Sequence, residues 1–244
     1  MENNIFNFSG KKILVTGASS GIGREIAVFL SSLGAQCVIT GRNVEELEKT
    51  RCQINCNDVI SISSELTDEY QLKELFEKSV EDGKKLDGLV YSSGVVPIIP
   101  LRVLSKEKIM QVFDINVVSF ILAVQLFSKR TISEGGSVVG VSSIAAIQPE
   151  KAQSLYAATK GAMNSAVQAL AIELAEKGIN INTVLPGVTS RTDGESVEIE
   201  MLSRKQIFGS VAPSTIASLC AFLLCENARN ITGRQFFCDN GRLL

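Results

Sequence analysis

A chain of 244 residues with 45% hydrophobic content is long enough for one large α/β domain with an ample core. Its net charge of −2, with both signs interspersed, leaves no basic footprint for nucleic acid. The absence of histidine excludes a His-based triad and every His-ligated metal site, and no metal is expected.

Residues 11–17, Lys-Lys-Ile-Leu-Val-Thr-Gly, predict a short apolar strand ending in glycine. Thr16-Gly17-Ala18-Ser19-Ser20-Gly21-Ile22-Gly23 leads from it into a helical pattern over about 21–33. A glycine-rich strand-to-helix turn lets the backbone approach a pyrophosphate, whose charge the helix N-terminus favours. A second strand is expected near 36–40. An NAD site usually carries an acidic residue after this strand to bond the ribose diol. Thr40-Gly41-Arg42 offers no carboxylate, and Arg42 could pair with a 2′-phosphate, which points to NADP(H).

Further helical patterns follow at about 43–55, 68–82, 105–130, 154–177 and 213–225. They alternate with strands near 59–63, 87–91, 136–142, 179–185 and 235–238. This is the alternation of a doubly wound, Rossmann-type parallel sheet of about seven strands, helices on both faces, in a single domain over 1–244. Ligands in such sheets bind at the carboxyl ends of the strands. Gly17, Ser93-Gly94, Ser143 and Pro186-Gly187 each fall just after a strand and are expected to share one cleft.

Tyr156 and Lys160, in Tyr-Ala-Ala-Thr-Lys, stand one helical turn apart on one face. A phenol titrates at about 10, and a nearby ammonium is expected to lower that value toward the working range. Ser143, thirteen residues before Tyr156, could hydrogen-bond a substrate carbonyl while the tyrosine delivers the proton. That chemistry serves carbonyl reduction or alcohol oxidation.

Taken together, the motifs resemble those of the short-chain dehydrogenase/reductase family over nearly the whole chain. Thr-Gly-x-x-x-Gly-x-Gly, Asn116 in Asp-Ile-Asn-Val, the Ser143–Tyr156–Lys160 set and Pro186-Gly187 come in that family's order and spacing. The resemblance implies that Ser143 polarises the carbonyl, Tyr156 is the acid/base, and Lys160 binds the nicotinamide ribose and tunes the tyrosine. Asn116 would hold a water that continues the proton relay. Gly17, Ser19, Ser20, Gly21, Ile22 and Gly23 would cradle the cofactor, with Arg42, Glu65, Leu66, Ser93, Gly94, Tyr156, Lys160, Pro186, Gly187 and Thr189 completing its site.

Several positions depart from the family pattern. Tyr91-Ser92-Ser93-Gly94 replaces the usual Asn-Asn-Ala-Gly, so local rewiring of the strand ends is expected. Glu65 replaces the usual Asp, and Thr189 is the nearest threonine after Pro186-Gly187. The polar stretch 189–212 corresponds to a substrate lid in the family. Ile144, Ile147 and Leu155 suggest a partly apolar pocket.

Family members of this length resemble β-ketoacyl-carrier-protein reductases, so a 3-oxoacyl thioester, carried on acyl-carrier protein, is the first substrate expected. Glu134 stands where such enzymes often carry a base, which weakens that reading. Sugar ketones and other small ketones stay open, as does a non-catalytic NADP-binding regulator. Small residues along 157–169 and the analogy with relatives imply a homotetramer or homodimer.

Six scattered cysteines without a Cys-x-x-Cys pair suit a reduced, cytoplasmic protein, Cys52 and Cys56 alone making a poor zinc site. The N-terminus lacks a secretory pattern. The apolar stretch 109–127, broken by Gln111, Asp114, Asn116 and Gln125, is expected to be a buried helix and not a membrane span.

Overall fold

The strand β1 (Lys12–Thr16) is buried along its whole length. Because successive side chains alternate across a strand, Ile13 and Val15 enter one apolar layer and Leu14 the other. The computed structural model describes residues 6–54, 59–190 and 197–244. Six strands follow β1: β2 (Gln36–Gly41), β3 (Ile60–Ser63), β4 (Gly88–Tyr91), β5 (Gly136–Val141), β6 (Ile179–Pro186) and β7 (Gln235–Cys238). All pair in parallel, in the order β3-β2-β1-β4-β5-β6-β7.

The helices are α1 (Gly21–Ser32), α2 (Val44–Gln53), α3 (Glu69–Lys78), α4 (Lys106–Phe113), α5 (Ser119–Phe127), α6 (Ser154–Leu174), α7 (Val197–Ser203) and α8 (Pro213–Leu224). Ile26 and Leu30 of α1 meet Ile216 and Ala221 of α8 on one face of the sheet. Phe76 of α3, Phe120 and Phe127 of α5, and Met163 and Val167 of α6 cover the other. Asn43, Asp68 and Ser105 start α2, α3 and α4 by accepting backbone N–H bonds, which fixes where those helices begin.

The chain winds outward from β1 through β2 to β3, then returns to place β4 on the other side of β1. The carboxyl ends of β1 and β4 therefore border the crevice at which ligands enter such sheets.

One expectation needs correction. The helix expected over 105–130 is broken at residues 114–118 into a π-turn between α4 and α5. Asn116 lies inside that turn, and Ser119 Oγ donates to the Asp114 carbonyl at 2.8 Å across it. An extra residue in one turn re-aims a side chain, and such bulges gather at functional sites. The polar stretch 189–212 also contains a helix, α7, too short for a visible period.

Residues 106–127 contain an 18-residue stretch with a mean hydropathy of 1.8 and suffice in length and composition to cross a membrane. Here they carry the π-turn and pack Phe120, Val124 and Phe127 into the core, as expected of a buried helix. No disulfide joins the described cysteines. Cys56, the first five residues and residues 191–196 lie outside the described residues.

Candidate active site

Gly17 and Gly23 form the tightest part of the glycine turn. Gly17 has φ +66°, and a Cβ there would meet Ser92 and Ser93 backbone atoms at 2.9 Å. A Cβ on Gly23 would collide with the Gly17 carbonyl. Gly21, φ +53°, faces open space, so its backbone is free to meet a ligand. Ser20 caps α1 by position, with no side-chain bond to the first turn, and no acidic residue stands there. The turn thus presents N–H groups and the positive end of a helix to an anion.

Ser19 comes close to Gly41, whose Cβ would lie 3.1 Å from the Ser19 hydroxyl. Arg24 braces the turn from beneath, donating to the Ser19 carbonyl, to Glu46 at 2.6 Å and to Thr50 Oγ1 at 3.0 Å. Ile22 packs on the core below.

Thr16 Oγ1 accepts from the Ser92 and Ser93 N–H groups at 3.1 and 3.2 Å. A threonine at the end of β1 thus ties down the end of β4. Ser93 and Gly94 are thereby held beside the glycine turn. A Cβ on Gly94 would lie 3.1 Å from Asn116 Oδ1 and 3.6 Å from Lys160 Nζ, so glycine keeps this approach open.

Asn116 is fully buried. Its Oδ1 accepts from Val95 N–H at 2.9 Å, while Nδ2 donates to the Val95 carbonyl at 3.0 Å and to Thr159 Oγ1 at 3.1 Å. The side chain pairs with Val95 as a neighbouring strand would, joining the loop after β4 to α6. Thr159 was not singled out by the sequence, although it lies between the two residues that were.

Ser143 follows β5 and caps the short turn 144–146, its Oγ accepting from Ala145 N–H at 3.1 Å. Tyr156 and Lys160 lie one turn apart on α6, the ammonium 5.9 Å from the ring centroid. Lys160 Nζ donates to the Val141 carbonyl at 2.8 Å. Burial pushes the Tyr156 phenol up, and the Ser143 hydroxyl pulls it the other way. Burial also brings the Lys160 ammonium down to about 8. The expected lowering of the phenol by Lys160 is therefore not the direction found here, because desolvation penalises the charged form of both groups.

On the adenosine side, Arg42 is 67% exposed, with Nη1 3.5 Å from Glu65 Oε2. The other Glu65 oxygen accepts from the Thr67 hydroxyl at 3.0 Å. Leu66 is buried in the core. Arg42 stands just past the end of β2 and Glu65 just past that of β3, so they lie beside each other rather than with the Ser143–Tyr156–Lys160 group. Thr40, Gly41 and Arg42 place no carboxylate at the end of β2 itself, and Glu65 is the carboxylate that faces Arg42.

Pro186 ends β6, and Gly187 N–H donates to the Cys238 carbonyl at 2.9 Å. Thr189 pairs with Val211 in an isolated bridge. Gln206, another residue the sequence did not single out, is buried against this loop. Its Oε1 accepts from Val188 N–H at 2.5 Å, and Nε2 donates to the Val188 carbonyl at 3.1 Å and to the Gly209 carbonyl at 2.6 Å.

The model of the short chain dehydrogenase family matches residues 11–201. The chain is 31% identical to a 3-oxoacyl-[acyl-carrier-protein] reductase of Rickettsia conorii, over 98% of this chain and 100% of that protein. It is 29% identical to an L-2,3-butanediol dehydrogenase of Corynebacterium glutamicum, over 96% and 98% of the two chains. A short chain dehydrogenase from Burkholderia cenocepacia, solved in complex with NADP, superposes with a TM-score of 0.92 at 29% identity, covering 98% of this chain and 100% of its own. With the glycine turn, the parallel sheet and the Ser143–Tyr156–Lys160 group in one crevice, the chain belongs to the short-chain dehydrogenase/reductase family of oxidoreductases, whose members bind nicotinamide cofactors.

Proposed function

We propose that the protein is an NADP(H)-dependent carbonyl reductase in which Tyr156 is the acid. The observation that carries this reading is the buried Tyr156–Lys160 pair on α6, beside Ser143 and Gly94. Bound in the crevice, NADPH would supply the hydride. A phenol raised by burial stays protonated at neutral pH and is ready to donate to a carbonyl oxygen. Ser143 Oγ stabilises the charge developing on that oxygen. Lys160, brought down to about 8, is still mostly charged at pH 7, and its place beside Gly94 suits a ribose hydroxyl. Asn116 keeps the Val95 loop and α6 in register.

NADP(H) over NAD(H) rests on Arg42 and on the missing carboxylate after β2. The NADP complex of the Burkholderia relative supports the same choice. Arg42→Ala is expected to lower NADPH affinity by about 10-fold, the loss of one charge-assisted bond, with little effect on NADH. Equal losses for both cofactors would contradict the assignment.

A 3-oxoacyl thioester, free or on acyl-carrier protein, is the first substrate, supported by the Rickettsia relative. A small ketone is the second, supported by the butanediol dehydrogenase. The lid is assigned to 189–212, including α7. The small residues Ala158, Gly161 and Ala162 on α6, with exposed Val118 and Ile121 on the α4–α5 stretch, suit packing against a second copy, and the cytoplasm is the compartment proposed. Following NADPH oxidation with 3-oxoacyl thioesters and a panel of small ketones tests the reading. Turnover with a member of either class supports reduction, and none with any would contradict it.

A further inference from the structure

Between Ser143 and Tyr156 the chain must leave β5 and return to start α6, and the middle of that loop carries Glu150. Its carboxylate receives Lys205 Nζ at 2.9 Å on each oxygen, together with Nη2 of Arg242. The Arg242 side chain is only 8% exposed, so it has little water to replace this partner. Around Glu150 the loop is also held by Glu150 N–H to Gln153 Oε1 at 2.9 Å, by Gln153 N–H to the Glu150 carbonyl at 3.2 Å, and by Ile99 N–H to the Ala152 carbonyl at 2.8 Å. Ala152 sits at φ +66°, a conformation that a residue with a Cβ adopts only when its surroundings impose it.

Both cations belong to one unit. Lys205 precedes Gln206, whose amide is fastened to Val188 just past Pro186-Gly187. Ile207 N–H donates to the Asn240 carbonyl at 2.8 Å, and Asn240 Nδ2 donates to the Gly209 and Ser210 carbonyls at 3.0 and 3.1 Å. The foot of the α7 segment and the C-terminal residues thus move together, and Glu150 is the charge on the facing loop that both cations share.

We propose that Glu150 is a positioning residue, coupling the foot of the α7 segment and the C-terminal tail to the loop that leads into Tyr156. The proposal rests on the carbonyl-reductase reading for its kinetic arm only. Glu150 is not among the bonded partners of Tyr156 or Lys160, so its loss acts through the shape of the substrate side of the crevice. Without the carboxylate, Lys205 and Arg242 face each other as like charges, and the strained turn at Ala152 loses its outer support.

The test is Glu150→Gln, alongside Lys205→Gln on an exposed residue and the conservative Glu150→Asp. Expected for Glu150→Gln is a rise in the carbonyl-substrate KM of about 5- to 20-fold, within the usual range of site coupling, with kcat and NADPH affinity near wild type. Glu150→Asp recovers part of that loss. Amide hydrogen exchange of the unliganded full chain reads the coupling without turnover: both variants speed exchange in 147–153 and in 205–210 together. Exchange that rises only beside the substituted residue, or a KM that does not move in an active enzyme, would overturn the proposal. A wild-type protein that reduces no ketone would remove the carbonyl-reductase reading, while the exchange result still decides this one.

Discussion

Two fully buried lysines stand at opposite ends of the same sheet, and the chain treats them differently. Lys12, where β1 begins, donates to both oxygens of Asp82 at 2.7 and 2.9 Å, and that bond holds the Asp82 carboxyl below its ordinary range. Lys160, beside the carboxyl end of β5, has the Val141 carbonyl and the Tyr156 ring, and no carboxylate among the described residues pairs with it. An unpaired buried ammonium is expensive, and it descends to about 8 in response. The first lysine is neutralised within the fold. In the proposed reading the second keeps a charge and a donor for the cofactor, the kind of perturbed group that points to a site rather than a strut.

The largest effect that would sharpen this contrast is on turnover. Lys160→Met is expected to cut carbonyl reduction on the order of 10²- to 10⁴-fold, while leaving stability at neutral pH no lower than wild type, because it removes an unpaired buried ammonium. Steady-state kinetics and urea unfolding on one preparation check both halves, and a variant that is unstable but active would break the contrast.

Asp82→Asn is expected to do the reverse: turnover near wild type, with stability lower by about 2 kcal/mol. That is below the usual cost of breaking a buried pair, because Asp82 is itself 39% exposed. Denaturant midpoints measure it, and unchanged stability would mean that Lys12 finds another partner.

A further effect concerns pH. The folded value of Lys160, about 8, lies below its ordinary 10.5, so between these values the unfolded chain binds more protons than the native one. Stability from this group therefore rises with pH through that window. The stability of wild type relative to Lys160→Met should climb from pH 8 toward pH 10.5, and a flat difference would mean that the ammonium is solvated.

Much of this was legible in the sequence because it rests on spacing. Gly17, Gly21 and Gly23 mark a turn that only glycines permit, and the step from Tyr156 to Lys160 is one helical turn. The number of strands and their parallel pairing followed from the alternation of strand and helix patterns. The rest depends on contacts that no local pattern carries. Thr16 can tie down the end of β4 because β1 and β4 pair at Tyr91, a neighbour 75 residues away along the chain. The π-turn at Asn116 lets its amide bond to Val95, and a helical pattern that continues on both sides conceals the break. Gln206 and Glu150 look like surface residues until the tail and the α7 segment fold against them. The direction of the Tyr156 shift was misjudged because proximity of charge is visible in a sequence and depth of burial is not.

In the proposed reduction Tyr156 delivers the proton and does little else. The direct measurement is NADPH binding and NADPH-dependent carbonyl turnover in Tyr156→Phe beside wild type, with the best ketone from the panel. The account predicts a folded variant that binds NADPH normally and loses turnover on the order of 10²- to 10⁴-fold. Turnover at the wild-type rate would contradict it.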